Sequence, residues 1–415
     1  MARVLFVTSR VPWPPREGHQ LRSWNLLRAA ACAHEVTLLS VQRNEDGAVD
    51  APALRAVATS THAVPLPPLT APRTALRLLV HTLVRGKPLL VGRYVGASLE
   101  AAFRRHVQHA DLVHFDMLPL AALAGLVPDG VPIVLNEHNV ESRLLQSQAQ
   151  IEPVWWRRRV KRQQVGALRR FERAACLRAD AVLACSEADA GLLRQLAPGA
   201  NVSVVPNGVD LAYFDGPAGN PGNDLSLVFV GQMGWLPNRD GMEHFLAEAF
   251  PLIRTCADVR LTIIGRSDGL RVPAPLASAV RCTGFVEDLR PLLRDAAVYV
   301  VPLRAGSGTR LKILEAMAMG KAIVSTRIGA EGIALRDGEH ALLADTPADF
   351  CAAVCRLLED RALRLRLGEA ARRLVEREYG WDAIGDRMLA VYDGVLRVRH
   401  ADAIGGLRGG AAAYG

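Results

Sequence analysis

Short apolar runs recur along this chain, most of them separated by stretches with helical periodicity. The run "RVLFVTS" (Arg3–Ser9) precedes "LRSWNLLRAAACA", where Leu21, Trp24, Leu27 and Ala31 fall at helical spacing, and a second run, "HEVTLLSVQ" (His34–Gln42), follows. Strand, helix, strand at this spacing reads as a βαβ unit, which requires a parallel sheet and right-handed crossovers. "ADLVHFD" (Ala110–Asp116), "VPIVLNEH" (Val131–His138) and "ADAVLACS" (Ala179–Ser186) read as further buried strands. Residues 1–205 are therefore expected to form one doubly wound α/β domain. The Pro206-Asn207-Gly208 turn and the Gly/Pro/Asn-rich run to Asp224 mark a boundary and linker. A second series, "LSLVFVGQM", "VRLTIIG", "VRCTGFV", "AAVYVVPL", "KAIVST" and "HALLAD", predicts another parallel sheet, and the second domain is placed at 206–380. The last helix pattern, about 381–400, carries apolar Ile384, Met388, Leu389, Val391 and Tyr392, and 401–415 reads as a loose tail. Two such domains make a cleft, and ligands in these folds sit at the carboxyl ends of strands and at domain interfaces.

A chain of 415 residues exceeds one ordinary core and suits two domains. The net charge of +8 is nearly all arginine, since the only lysines are Lys87, Lys161, Lys312 and Lys321. A basic balance favours anionic partners without choosing among them. Nucleic acid is not expected, because aromatic residues are only 5% and no nucleic-acid module is present. The seven cysteines are an odd number; Cys351 and Cys355 lie one helical turn apart, with no His or Cys pair elsewhere at metal spacing. Buried free thiols in a reducing compartment are the expectation. The first apolar run is too short for a signal peptide, and no window of about 18 apolar residues exists. The protein is expected to be cytoplasmic, or peripheral at the inner face of the cytoplasmic membrane.

The stretch "AGSGTRLKILEAMAMGKAIVST" (Ala305–Thr326) concentrates unusual chemistry. Thr309 as N-cap and Gly320 as the residue past the end predict a helix over Arg310–Met319, with Leu311, Leu314 and Ala318 as its buried stripe. Its free N–H groups and the loop of Gly306, Ser307, Gly308 and Thr309 suit an anion. Arg310 can fork onto a phosphate, and Lys312 adds a point charge. Glu315 stands roughly 7–8 Å further along the axis, about the reach from a phosphate to a ribose. A carboxylate accepts two hydroxyl hydrogen bonds at once, which suits a ribose diol. The spacing equally fits an ordinary surface i,i+3 pair between Lys312 and Glu315.

These residues carry a resemblance. "GSGTRLKILEAMAMGKAIVST" resembles the nucleotide-sugar-binding motif of GT-B-fold glycosyltransferases of the large retaining family 4. "VVPNGVDLAYF", "FVGQMGWLPNRDGMEHF", "TGFVEDLRPLLRDAAVYVVPL", "YGWDAIGDRMLAVYDGVL" and "VPWPPREGHQLRSWNLL" resemble other family segments in the same order, nearest the bacterial exopolysaccharide-associated sugar transferases. The resemblance implies two Rossmann-like domains facing across a cleft, with a C-terminal helix crossing back to the first. It implies transfer of a hexosyl group from a nucleoside-diphosphate sugar to a saccharide or lipid-linked acceptor with retention, in exopolysaccharide or cell-surface glycan synthesis. It places Glu315 at the second glutamate of the family's E-x7-E motif, holding the donor ribose. Ser307 replaces the first glutamate, so the backbone of Gly306–Thr309 is expected to bind the hexose. Gly231 and Gln232 follow the first strand of the donor domain; Gln232 stands at the family's arginine position and Asn238, Arg239 and Asp240 cover its lysine region. Arg310 and Lys312 are expected to replace those cations.

His138, in "VLNEHNVESRLL", corresponds to a family histidine near the sugar's reacting carbon; with Glu315 it makes up the residues assigned to catalysis. Glu137 and Glu141 flank His138 and are expected to orient its ring, while His114 and Asp116 are expected to line the cleft. In "PWPPREGHQLRSW", Gly18 leaves room for a backbone approach, Arg22 is expected to reach a phosphate, and His19 faces the acceptor. Two readings fit the basic stretch Val154–Ala174: contact with an anionic membrane, or a solvated helix with its tryptophans in the core. A GT-B-fold sugar-nucleotide epimerase or hydrolase is the alternative function, although its acid/base carboxylates are not identifiable. A dinucleotide oxidoreductase is disfavoured because no G-x-G-x-x-G follows the first strand. No D-x-D pair is present, so a reaction without metal or cofactor is expected.

Overall fold

The computed structural model describes residues 1–68, 86–214, 225–306 and 308–411, with positions 71, 74, 78 and 82. The expected linker run 215–224 and Ser307 lie outside the described residues. The chain divides into two compact units. The first comprises Met1–Arg143, Arg162–Pro206 and the chain from Asp382 on; the second comprises Leu144–Lys161 and Asn207–Trp381. The sequence placed 144–161 in the first domain. A segment handed to another unit within a helical pattern carries no composition shift, which is the signal that marks boundaries.

The first unit holds a seven-stranded parallel sheet of β1 (Arg3–Thr8), β2 (Glu35–Gln42), β3 (Ser60–Pro65), β4 (Leu112–Asp116), β5 (Ile133–Glu137), β6 (Ala181–Ala184) and β7 (Val202–Val204). Their order is β3-β2-β1-β4-β5-β6-β7. The second unit holds six strands, β8 (Ser226–Val230), β9 (Arg260–Ile264), β10 (Val280–Cys282), β11 (Val298–Val301), β12 (Ala322–Ser325) and β13 (Leu342–Leu343), ordered β10-β9-β8-β11-β12-β13. β4, β5, β6, β11 and β12 are buried at every position, as parallel strands covered on both faces must be. Each fully buried Val, Leu or Ile contributes about 1.5–3 kcal/mol. β3 escaped the sequence reading because it is a half-buried edge strand ending in Pro65, with no continuous apolar run.

The last helix runs Trp381–Ala411, so the loose tail expected from residue 401 is helical through Ala411. A helix already nucleated gains one hydrogen bond per residue added, which lets it outrun its apolar pattern. From Asp382 on it belongs to the first unit. There Tyr392, fully buried, sets its hydroxyl 2.7 Å from His114 Nδ1, and Arg399 donates to Asp180 at 2.6 Å.

At the end of β5, Glu137 is 1% exposed, and neither carboxyl oxygen has a hydrogen-bond partner among the described residues. Burial first, then the charges of Glu172 and Glu141, push its pKa well above the ordinary carboxylate range. Glu172 accepts from the Glu141 and Ser142 backbone N–H groups, and burial raises Glu172 and Glu141 alike to about 7.

Two outcomes follow. Tyr392→Phe removes a buried hydrogen bond and should destabilise the first unit by about 1–3 kcal/mol; a variant melting with the wild type would mean that apolar packing alone docks the helix. Glu137→Met should stabilise by about 1–4 kcal/mol, since a buried acid without partners is replaced by packing. Because the folded pKa is raised, the acid's destabilising effect is absent at low pH and grows as pH climbs above the ordinary carboxyl value. The gain should therefore be larger at about pH 8 than at about pH 5, and an equal gain at both would overturn the assignment.

Candidate functional site

In the second unit the sheet order reverses direction between β8 and β11, the place where carboxyl-end loops diverge and leave a crevice. β8 leads through 231–235 into the helix Leu236–His244, and β11 leads through 302–310 into the helix Leu311–Ala318. The Gly231 N–H donates to Ile264 O at 2.9 Å. Asn238 Nδ2 donates to Gln232 O at 3.0 Å, so Asn238 shapes the loop while the Gln232 side chain stays exposed. The Arg310 guanidinium lies 5.5 Å above the Trp235 ring and donates to Gly308 O at 3.0 Å, joining the two loops. Gly306 has φ +145°, and a Cβ there would run into that guanidinium. Its N–H donates to Ser147 Oγ at 3.1 Å.

The helix begins one residue later than predicted. Arg310 is its N-cap, with no side-chain cap bond, because the Thr309 hydroxyl turns instead to Gly332 O at 3.4 Å. It ends at Ala318, one residue before the expected Met319, which caps it, and Gly320 lies past the end as expected: Gly320 has φ +63°, its N–H donates to Met317 O, and the Lys321 N–H donates to Ala316 O. Ile313 through Ala318 are buried and Lys312 is exposed. Glu315 is 5% exposed, and Lys312 Nζ donates to both its carboxylate oxygens at 3.0 and 3.1 Å. The i,i+3 pair therefore forms, but as a buried acid under an exposed ammonium. A carboxylate offers about four lone-pair sites, so Glu315 can accept from ligand hydroxyls while the pair persists. The assigned Ser307 lies outside the described residues.

In the first unit the order reverses between β1 and β4, where Thr8 pairs with Asp116. Asp116, 1% exposed, is the hub: Asn136 Nδ2 donates to it at 2.6 Å, Ser23 Oγ donates to its other oxygen, and His138 Nε2 lies 2.8 Å away. Burial would raise this carboxyl; the charge of His138, its hydrogen bond and the His114 ring 3.9 Å away outweigh it and hold the group well below the usual range. An ionised acid only accepts, so it fixes the His138 proton on Nε2. Asp116, not Glu137 or Glu141, thus orients His138. Glu137 directly precedes His138 at the strand end, where successive side chains point to opposite faces, and Glu141 is engaged with Asn139 at 3.5 Å.

Two other assignments, Arg22 and His114, land elsewhere than expected. Arg22 is 1% exposed and donates to Asn136 Oδ1 at 2.7 Å and Pro206 O at 2.8 Å; these buried acceptors draw the guanidinium inward, away from a phosphate. His114 is fully buried, stacked on Phe6 at 4.1 Å and bonded to Tyr392, so it lines no opening. His19 is lowered to about 3, by burial first and then by the charges of His138, Arg10 and Arg43, and is neutral near neutral pH. Gly18 is exposed as the first residue of the helix Gly18–Ala33, whose N-terminus presents backbone N–H groups. Sequence reasoning passed over Asn136, Ser147 and Trp235. Only Asn136 carried a signal, an amide inside an apolar strand that must find partners.

The basic stretch forms the helix Trp155–Arg178, and Trp155 and Trp156 are 75% and 50% exposed, which removes the reading that buries them in the core. Among the described residues, no helix is long and apolar enough to cross a membrane.

Residues 16–213 match the family described as Glycosyltransferase Family 4, and residues 224–360 match Glycosyl transferases group 1. The chain is 34% identical over 207 residues to the phosphatidyl-myo-inositol mannosyltransferase of Mycolicibacterium smegmatis, which covers 48% of this chain and 53% of that one. It thus spans about half the length of that relative. The D-inositol 3-phosphate glycosyltransferase of Nocardiopsis dassonvillei is 28% identical over 72% of this chain and 74% of its own. In fold, the chain is similar to sucrose-phosphate synthase from Thermosynechococcus elongatus, with a TM-score of 0.71 at 19% identity over 95% of this chain and 100% of that one. It is also similar to Anabaena HepE in complex with UDP and glucose, with a TM-score of 0.65 at 14% identity over the same shares. With two parallel-sheet α/β units like those of GT-B structures and a family model matching each half of the chain, the protein belongs to the family 4, group 1 glycosyltransferases.

Proposed function

We propose that this glycosyltransferase moves a hexosyl group, with retention, from a nucleoside-diphosphate sugar to a saccharide or lipid-linked acceptor in cell-surface glycan or exopolysaccharide synthesis. The observation that carries this reading is Glu315, a nearly buried carboxylate on a helix that opens from a glycine-rich loop beside Arg310. In the proposal, the loop backbone and Arg310 hold the diphosphate, and Glu315 accepts the ribose hydroxyls. His138, fixed by Asp116 with its proton on Nε2, is assigned to the reacting end of the sugar, where its Nδ1 is an acceptor for a sugar hydroxyl, while Arg310 and the loop N–H groups stabilise charge as the nucleoside diphosphate departs. The donor needs no metal, since fixed cations and a helix N-terminus supply the positive field.

A lipid-linked acceptor is favoured by two observations. One relative carries the name phosphatidyl-myo-inositol mannosyltransferase, which names a lipid. The helix Trp155–Arg178 also exposes two tryptophans among arginines, a composition suited to an anionic membrane surface. The proposed location is therefore the cytoplasmic face of a membrane.

The test is a thermal-shift and calorimetric screen against UDP-, GDP-, TDP- and ADP-sugars, with EDTA present. One donor should stabilise the chain, and Glu315→Gln should weaken it by about 1.5–3 kcal/mol; a donor bound equally by the variant would remove the ribose clamp, and binding abolished by EDTA would remove metal independence. Asp116→Asn replaces an acceptor with a group that can donate, which unsettles the His138 tautomer. It should lower kcat by about 10–100-fold with donor KM little changed, whereas an unchanged kcat would exclude the His138 assignment.

A further inference from the structure

The residues assigned to transfer leave every thiol unused, and three of the thiols meet. Cys256 ends the helix Phe250–Cys256; Cys351 and Cys355 lie one turn apart on the helix Pro347–Glu359 of the same unit. All three sulfurs lie within 4.8 Å of one another, and Cys351 Sγ is 3.9 Å from Cys355 Sγ. The i,i+4 spacing announces two of them; the third arrives from a helix far upstream, so no sequence spacing reveals the set. Cys176 and Cys185 are buried in the first unit, and Cys32 and Cys282 are exposed outside the cluster.

The separations fit one bound ion. A metal–sulfur bond of about 2.3 Å places the thiolates of a trigonal or tetrahedral site about 3.8–4.0 Å apart. Cys351 and Cys355 already stand at that distance, and a side-chain adjustment brings in the third sulfur. A disulfide needs sulfurs about 2.05 Å apart and would use only two of the three. Cys256 is exposed and offers an entry path, while Cys351 and Cys355 are half-buried. Among the described residues no carboxylate or imidazole joins the group, and an all-sulfur donor set selects soft cations over magnesium, calcium or manganese.

We propose that Cys256, Cys351 and Cys355 form a three-thiolate site for a thiophilic cation, Zn(II) or Cu(I), with one position open to water or an external thiol. The ion ties together two helices that pack against each other, and the site shares no residue with the donor loops.

The experiment titrates the reduced, metal-stripped full chain with Zn(II) and Cu(I) against chromophoric chelators, and with Co(II) as a spectroscopic probe. Expected are about one equivalent bound, a thiolate-to-cobalt charge-transfer band, and a raised melting midpoint with zinc. Cys256→Ser, Cys351→Ser and Cys355→Ser should each weaken binding at least about tenfold. Alkylation of the wild-type chain followed by peptide mass spectrometry should show zinc protecting these three thiols, a readout that does not depend on how the variants fold. Protection falling on Cys32 or Cys282 would overturn the site, as would absence of the band. Equal affinity in the triple variant, or a disulfide at Cys256 in a chain that binds no metal, would overturn it too.

Discussion

A parallel strand cannot return to its neighbour by a tight turn. In both sheets all strands run one way, so the chain travels back along a helix or a long connection each time, and all strand carboxyl ends gather on one edge. Where the winding changes direction, between β1 and β4 and between β8 and β11, adjacent loops depart to opposite sides. The assigned groups sit on those loops, on the strands beside them or on the helix a loop opens into: Asp116 and His138 in one unit, Arg310 and Glu315 in the other. The continuous apolar burial of the central strands makes those ends rigid. A rigid edge is what lets a lone carboxylate or imidazole serve as a fixed reference point for a ligand.

Neighbouring strands of the first unit treat buried charge in opposite ways. Asp116 is surrounded by donors, and their bonds hold it ionised in spite of its burial. Glu137, on the next strand, has none among the described residues and is driven toward its neutral form. Glu315 stands between these cases, buried but paired with an exposed ammonium, which leaves acceptor capacity for hydroxyls. The chemistry each acid can perform is set by its donors rather than by its depth.

The sheets were legible because continuous apolar runs separated by helical patterns admit few arrangements. The helix carrying Glu315 was legible from Gly320, where only a residue at ease with positive φ could end it. What could not be read was the partner of each polar side chain. Arg22 looks like a surface cation in the sequence, yet the buried Asn136 amide and the Pro206 carbonyl claim it. Thr309 looks like a cap, yet Gly332 takes its hydroxyl. His138 has two adjacent glutamates in sequence, but strand alternation turns the first away and the orienting acid comes from another strand. Such pairings depend on tertiary distances, which local spacing does not encode. The reassignment of 144–161 to the second unit is of the same kind.

The first unit is discontinuous in sequence. Its sheet begins at Arg3, but the helix that buries Tyr392 against His114 comes after the whole of the second unit. During synthesis, at about 5–20 residues per second, the first unit therefore lacks the helix that buries Ile384, Met388 and Tyr392 until the second unit has emerged. The N-terminal half of this chain is the first to be made and the last to be finished, so its exposure to chaperones and proteases is set by the ribosome's progress through the other half.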